Sequence, residues 1–101
     1  MNTIIITKEA DKEYSQSAIW YEEQSTGLGD RFILTIQKKL ELIQNNPERY
    51  PKKKNELRAA VVRVFPFVII YSFNKKKKLV IISSIFHTKR NPKKKYRKNR
   101  I

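Results

Sequence analysis

Apolar residues recur with a helical period in the first half of the chain and with an extended period in the second half. Two segments of the first half each carry one apolar stripe at helical spacing. The first stripe consists of Ala10, Tyr14, Ser17, Ala18 and Tyr21, and the second of Leu28, Phe32, Ile36, Leu40 and Ile43. The pattern predicts two amphipathic helices whose stripes belong to the core.

Local signals mark the ends of both helices. Thr7 can cap the first helix, with Glu9 and Asp11 in the first turn, where acidic side chains complement the helix dipole. Both glycines of the chain lie in STGLGD, residues 25–30, which predicts a break before the second helix. The NNP sequence at 45–47 ends that helix, because the residue before a proline avoids helical angles. A short glycine turn between two helices predicts an antiparallel helical hairpin.

Extended segments account for the rest of the pattern. A β-branched run at residues 3–7 predicts a first strand, and three apolar runs predict further strands: LRAAVVRV (57–64), FVIIYSF (67–73) and LVIISSIF (79–86). Their short connections predict an antiparallel meander, and the uniformly apolar FVIIYSF predicts a central strand covered on both faces. The predicted fold is α+β: an N-terminal strand, a two-helix antiparallel hairpin and a three-stranded antiparallel meander, with the helices on one sheet face.

Length and composition restrict the class of protein. A chain of 101 residues, 40% of them hydrophobic, has the size of one domain with a modest core. We expect residues 1–91 to form this domain and residues 92–101 to be a basic tail that is disordered without a partner. The absence of cysteine excludes disulfides and thiolate metal sites. The apolar runs are too short or interrupted to span a membrane and no secretory signal is recognisable, so we expect a cytoplasmic protein without a membrane partner.

Positive charge is concentrated in one half of the sequence. The formal net charge is +14. Residues 1–56 contain nine acidic and nine basic residues, whereas residues 57–101 contain fourteen basic residues and no acidic one. This imbalance predicts a polyanionic partner, such as nucleic acid, an acidic protein or an anionic membrane. The run Lys75–Lys78, taken alone, is explained by a solvated surface that keeps the protein soluble.

Most enzyme classes lack the residues that they need. With one histidine, His87, and no cysteine, we expect no metal site, no cofactor and no small-molecule substrate. No carboxylate follows Glu56 to orient His87, so Ser83 and Ser84 are better explained as strand residues than as nucleophiles. A glycine-rich loop that could bind a nucleotide is also absent from the sequence.

Metal-free cleavage of RNA is the one chemistry that these residues allow. It needs a base for the 2′-hydroxyl, cations for the phosphate and an acid for the leaving oxygen. The residues that could supply these roles are His87, Arg58, Arg63, Tyr96 and Lys52 to Lys54. Arg58 and Arg63 are five positions apart, so a regular strand turns them to opposite faces, and the pattern does not choose between them. His87 at a strand end is equally well explained as a residue that fixes the strand terminus by hydrogen bonds.

Several stretches of the chain, in order, resemble the RelE/ParE superfamily of bacterial toxins from type II toxin–antitoxin systems. The matching pieces are GLGDRF, NNPERYP, LRAAVVRVFPFVIIYSF and IFHTKRNP, which together extend over nearly the whole chain. FPFVIIY and IFHTKRNP are most similar to the ParE-type branch, whose members commonly carry a histidine and an arginine at this place.

The resemblance implies the fold predicted above and a cognate acidic antitoxin encoded beside the toxin. ParE-type members inhibit DNA gyrase, so the resemblance implies a toxin that acts by binding its target through the sheet edge and the basic half. The residues then expected to contact the target are Arg58, Arg63, His87, Lys89, Arg90, Lys93, Lys94, Lys95, Arg97 and Lys98. An acidic antitoxin segment should fold over the helical hairpin and the sheet.

The RelE-type branch implies a different activity, the cleavage of messenger RNA on the ribosome. His87, Arg58, Arg63 and Tyr96 would then be the catalytic residues. The glutamate base of one nuclease subgroup is not convincingly matched by Glu48 or Glu56. A non-toxic nucleic-acid-binding module is the third hypothesis that the sequence leaves open.

Overall fold

A computed structural model describes residues 1–89 of the chain. Its elements are β1 (Thr3–Ile6), α1 (Lys8–Gln24), α2 (Leu28–Asn45), β2 (Lys52–Lys54), β3 (Leu57–Val62), β4 (Phe67–Asn74) and β5 (Leu79–His87). The α+β fold class is confirmed, and β3, β4 and β5 form the predicted antiparallel meander. The predicted tail at 92–101 lies outside the described residues. Strand β3 ends at Val62, two residues earlier than predicted, because the chain already turns at Arg63.

The five strands form one sheet in the order β1-β5-β4-β3-β2. β1 runs parallel to β5, with Thr3 opposite Leu79 and Ile6 opposite Ile82. The helical hairpin carries the chain from this edge to β2, which pairs antiparallel with β3 at the opposite edge. The sequence pattern predicted neither strand β2 nor the place of β1 in the sheet.

The helical hairpin is closed by local hydrogen bonds that the sequence indicated in part. The Thr7 hydroxyl accepts from the backbone N–H of Ala10 at 3.2 Å, as expected of an N-cap. The Glu22 carboxylate accepts from the backbone N–H groups of Gly27 and Gly29 at 2.9 and 3.0 Å. Gly27 has a φ of 89°, a left-handed conformation that glycine adopts without strain. The carboxylate of one helix therefore fixes the start of the next.

The main core lies between the helices and the sheet. Both predicted apolar stripes face it, with Phe32, Ile36 and Ile43 fully buried. Aromatic rings fill its centre: Phe32 lies 4.8 Å from Phe67 and 5.2 Å from Phe65, measured between ring centroids. The Phe32–Phe65 pair is edge-to-face and the Phe32–Phe67 pair is tilted. Aromatic pairs at these distances add about 0.5–1.5 kcal/mol each beyond the area they bury.

A β-bulge lets β5 keep its apolar residues against the helices. Ile70 lies opposite Ser84, whereas Tyr71 lies opposite Ile82, so Ser83 is the extra residue. The extra residue reverses the alternation of side chains, and Val80, Ile82 and Ile85 therefore all join the main core. On the other sheet face a second, smaller cluster forms, consisting of Ala59, Val68, Ile70 and Phe86. As predicted, the central strand β4 is buried on both faces.

Candidate target-binding site

The turn between β3 and β4 and the end of β5 bring three of the predicted site residues to one end of the sheet. Phe67 lies opposite His87, and the backbone N–H of Thr88 donates to the carbonyl of Pro66 at 2.8 Å. Arg63 begins this turn, and both Arg63 and Lys89 are exposed. We call Arg63, His87 and Lys89 the His87 end of the molecule.

His87 is held at the strand terminus by one local hydrogen bond and one ring contact. Its Nδ1 accepts from the backbone N–H of Lys89 at 3.1 Å. Its ring meets the Phe67 ring edge-on, at 5.4 Å between centroids and an interplanar angle of 77°. A neutral imidazole that accepts at Nδ1 carries its proton on Nε2. The side chain is partly exposed, so it combines the strand-fixing role with access from solvent.

Close to His87, strand β5 is contacted by a carboxylate from helix α1. Glu13 on α1 accepts with Oε1 from the backbone N–H of Ile85 and from the hydroxyl of Ser84, both at 3.0 Å. Strand β1 ends opposite Ile82, so beyond that point the edge of β5 is covered by α1. The sequence has no acidic residue after Glu56, so a carboxylate beside the end of β5 was not expected. The parallel pairing of β1, which places α1 beside β5, was not readable from the apolar pattern.

Arg58 lies away from the His87 end. It pairs with Tyr71, four residues along β4 from Phe67, which corresponds to about 13 Å. Its Nη1 donates to the carbonyls of Tyr50 at 2.6 Å and Glu48 at 3.2 Å. The side chain of Arg58 therefore attaches the segment after α2 to the sheet.

Tyr71 holds the same segment from inside the core. Its hydroxyl donates to the carbonyl of Pro47 at 2.6 Å, and its side chain is fully buried. Burial raises the pKa of Tyr71 to about 12, while the nearby positive charge of Arg58 opposes the rise. We call the pair Arg58 and Tyr71, with their shared segment 47–50, the loop brace.

A second group of cations occupies the opposite end of the sheet from His87. It consists of Lys52–Lys54 in β2 and Lys75–Lys78 in the β4–β5 turn, all of them exposed, and we call it the lysine patch. Lys75 Nζ lies 3.7 Å from the Glu48 carboxylate, and Lys52 Nζ lies 2.9 Å from that of Glu56. Two runs that are separate in sequence thus meet around the segment 47–50.

The outer side of the helical hairpin carries a shallow groove between α1 and α2. Its floor includes Tyr14, Ala18 and Ile33, and Asp11 and Asp30 stand at its rim. Next to the groove, Ile19 and Leu34 are more than half exposed. This surface combines apolar and acidic groups, in contrast to the cationic ends of the sheet.

Several predicted site residues lie outside the part of the chain that the structure describes: Arg90, Lys93, Lys94, Lys95, Tyr96, Arg97 and Lys98. Within residues 1–89, no group of three or more histidine, cysteine, aspartate or glutamate side chains is placed to hold a metal ion. In the same range, no helix combines the length and the apolar character needed to cross a bilayer.

The helical hairpin on a mixed five-stranded sheet, with a histidine and basic residues at one end, defines a class of small bacterial toxins. The sequence model described as "ParE toxin of type II toxin-antitoxin system, parDE" matches residues 4–92. The chain therefore belongs to the ParE toxin family, within the RelE/ParE superfamily that the sequence resembled.

Solved structures with the same fold come from both branches of the superfamily. The intact RelBE toxin–antitoxin complex of E. coli has a chain 14% identical, with a TM-score of 0.65, covering 89% of this chain and 100% of that one. A chain of the chromosomal ParDE system from P. aeruginosa is 14% identical, with a TM-score of 0.61, covering 86% and 96%. The isolated RelE toxin of E. coli is 13% identical, with a TM-score of 0.62, covering 86% and 84%. A search of curated protein sequences finds no match to the chain.

Proposed function

We propose that this ParE-family protein is a toxin that acts by binding DNA gyrase in the cytoplasm, and that a cognate acidic antitoxin neutralises it. The observation that carries the proposal is the match of the ParE family over residues 4–92, which reaches from β1 to the end of β5. A binding mechanism needs an accessible surface with defined chemistry, and the His87 end provides one.

The His87 end is the proposed contact surface for the target. Arg63 and Lys89 present exposed positive charge there, and His87 adds a polar ring fixed by Phe67 and by the backbone of Lys89. The basic residues that follow Lys89 in the sequence belong to the same proposed contact. Arg58 is occupied by the loop brace, so of the two arginines that the sequence left open we assign the target contact to Arg63.

The antitoxin is proposed to bind through both apolar and charged contacts. An amphipathic antitoxin helix can place apolar residues in the groove between α1 and α2, near Ala18 and Ile33. Its acidic residues can then pair with the C-terminal half of the sequence, residues 57–101, which carries the whole excess charge of the chain. An antitoxin bound in this way covers the surface of the toxin. Its affinity for the toxin then depends on the salt concentration.

A supercoiling assay with purified gyrase tests the proposal. The protein should stop supercoiling and cause cleaved DNA to accumulate, and Arg63→Gln should weaken this inhibition because it removes a proposed contact charge. Lys38→Gln on α2 is the matched control, since it removes one exposed positive charge far from the His87 end. Unchanged supercoiling at concentrations that stop cell growth would overturn gyrase as the target.

A RelE-type messenger RNA endoribonuclease is the second candidate. The observation that favours it is the carboxylate of Glu13, which accepts from the backbone N–H of Ile85, two residues before His87. A carboxylate and an imidazole close to one strand end are the kind of pair that proton transfer requires. Under this alternative His87→Ala should abolish transcript cleavage in translating cells while the protein stays folded, and persistent cleavage would remove His87 from the mechanism.

A protein that binds nucleic acid and leaves growth unaffected would support the third candidate, a non-toxic binding module.

A further inference from the structure

We propose that the lysine patch binds the phosphate backbone of duplex DNA, as a surface separate from the His87 end. This inference does not rest on gyrase as the target or on the antitoxin. It assigns a ligand class to lysines that the sequence alone explained as a solvated surface.

The fold brings the two lysine runs together. Lys52 pairs with Arg58, and Arg58 pairs with Tyr71, so β2 lies two strand spacings from β4, or about 10 Å. Lys75 follows Tyr71 by four residues and reaches back to Glu48, in the segment that leads into β2. Seven exposed ammonium groups therefore line one end of the sheet, at a scale that fits several phosphates of a duplex.

The positive charge of the patch is only partly neutralised. Glu56 and Glu48 pair with Lys52 and Lys75. The remaining five lysines form no ion pair with any residue in the range 1–89; they are Lys53, Lys54, Lys76, Lys77 and Lys78. Their shared repulsion is unfavourable in the free protein and is relieved when phosphates approach.

The β4–β5 turn has a lysine at a position whose backbone conformation favours glycine or asparagine. Lys78 has a φ of 51°, a left-handed conformation that glycine or asparagine adopts more readily. The hydrogen bonds of the turn come from the backbone of Lys75 and Lys78 and from the Asn74 side chain, so none requires a lysine side chain. Lys78 therefore places a positive charge at this turn although its backbone conformation lowers local stability. This indicates that the charge has a function.

The chemistry of the patch favours a duplex backbone over other polyanions. Lysines are point charges on flexible stems, suited to phosphates in many positions. The aromatic residues beside the patch are engaged in packing: Tyr50 packs on the fully buried Tyr71, and Phe73 packs against the main core. Among the described residues, the patch therefore offers no stacking platform for the bases of a single strand. An acidic protein partner would also seek apolar contact, whereas the exposed apolar side chains Ile19, Leu34 and Val64 lie on other parts of the surface.

Salt-dependent binding of the full chain to a labelled duplex of arbitrary sequence tests the inference. The patch variant combines Lys53→Gln, Lys76→Gln and Lys77→Gln, which leaves both ion pairs of the patch intact. The matched control combines Lys8→Gln, Lys12→Gln and Lys38→Gln, three exposed helical lysines, so that both variants lose the same charge. Fluorescence anisotropy gives Kd at a series of KCl concentrations.

The patch variant should bind more weakly and depend less on salt. If two of its three lysines contact phosphate, the slope of log K against log salt should fall by about 1.8, and Kd in 0.1 M salt should rise about 60-fold. The control should stay within about twofold of the unmodified protein, and a second duplex of unrelated sequence should behave like the first.

Equal weakening in both variants would overturn the inference, because it would mean that net charge alone governs binding. Unchanged binding of the patch variant would overturn it as well. A loss of binding to a polyglutamate peptide, with duplex binding retained, would assign the patch to an acidic protein instead. Arg63→Gln should leave duplex binding within about twofold, so a failure of the gyrase proposal and a failure of this one are separate results.

Discussion

At the scale of single residues, Arg58 and Tyr71 are tied to the backbone of one loop rather than to the surface proposed for the target. Arg58→Ala should lower the free energy of unfolding by about 1.5–3 kcal/mol, because two backbone carbonyls lose a charged donor. Urea denaturation checks this. Lys52→Ala is the control, since an exposed ion pair such as Lys52–Glu56 contributes about 1 kcal/mol or less. Equal effects of the two changes would contradict the role given to Arg58.

Tyr71 gives the fold a dependence on alkaline pH. Its folded pKa of about 12 lies above the ordinary value of 10.0, because burial disfavours the phenolate. Its contribution to stability is therefore fully present below pH 10 and is lost as pH rises from there through 12, with a total of roughly 3 kcal/mol.

Tyr71→Phe is the matched variant for this titration. Below pH 10 it should be less stable by about 1–2 kcal/mol, since the carbonyl of Pro47 loses its donor. Above pH 10 the stability difference between the two proteins should narrow, reach zero and change sign by about pH 12, as measured by urea denaturation at each pH. A difference that stays constant up to pH 12 would show that Tyr71 titrates normally.

Residue-scale expectations succeeded where a local rule decides the structure. Thr7 caps α1 because its hydroxyl meets the N–H of Ala10 whatever the rest of the chain does. The two arginines were undecided because strand parity says which face a residue takes and nothing about what lies over that face. Only the position of Tyr50, seven residues beyond the last stripe position Ile43, showed that a backbone carbonyl lies within reach of the Arg58 side chain.

At the scale of elements, the closest approach in the helical hairpin is made at Gly29. A Cβ at this position would lie 2.7 Å from the Ala18 carbonyl oxygen, which is backbone and cannot rotate away. Gly29→Ala should therefore push α2 from α1 and lower the free energy of unfolding by about 1–3 kcal/mol. Thermal unfolding checks this, with Leu34→Ala on the exposed side of α2 as the control. A melting temperature equal to that of the control would mean that the helices separate without cost.

The elements that the sequence predicted are those that bury an apolar face. Both helices and β3 to β5 do so, and their periodicity is visible without the fold. Strand β2 has no such signal, because Lys52–Lys54 are all exposed and the strand exists only through its pairing with β3. The bulge at Ser83 was equally hidden, since a register shift depends on the partner strand and not on the serine.

At the scale of the whole molecule, charge is separated into a neutral helical half and a cationic sheet half with two ends. The antitoxin affinity should therefore fall as salt rises, by about tenfold or more between 0.05 and 0.3 M KCl, because screening shortens the reach of these charges. Titration calorimetry with the purified antitoxin measures this. An affinity that does not change with salt would mean that the apolar groove alone holds the antitoxin.

The excess of positive charge was readable from the sequence, but its division into two ends was not. Arg63 and Lys89 are far apart in sequence, as are Lys54 and Lys75, and strand pairing brings the members of each pair to the same end of the sheet. The count of charged residues gives the sign of the partner's charge. The strand pairing decides how many separate positive surfaces the protein presents to such a partner.

The pairing of the first strand with the last has a consequence for how a new copy of this protein comes into being. β1 is made first, yet the strand beside which it lies, β5, is made after every other element. A nascent chain whose synthesis has not yet reached β5 therefore lacks the strand that pairs with β1 and contacts α1. It also lacks the whole His87 end. Such distant pairing is also slow to form. On the proposal that the His87 end binds the target, a chain without a complete β5 has no such surface, and a partner already present can capture it in that interval.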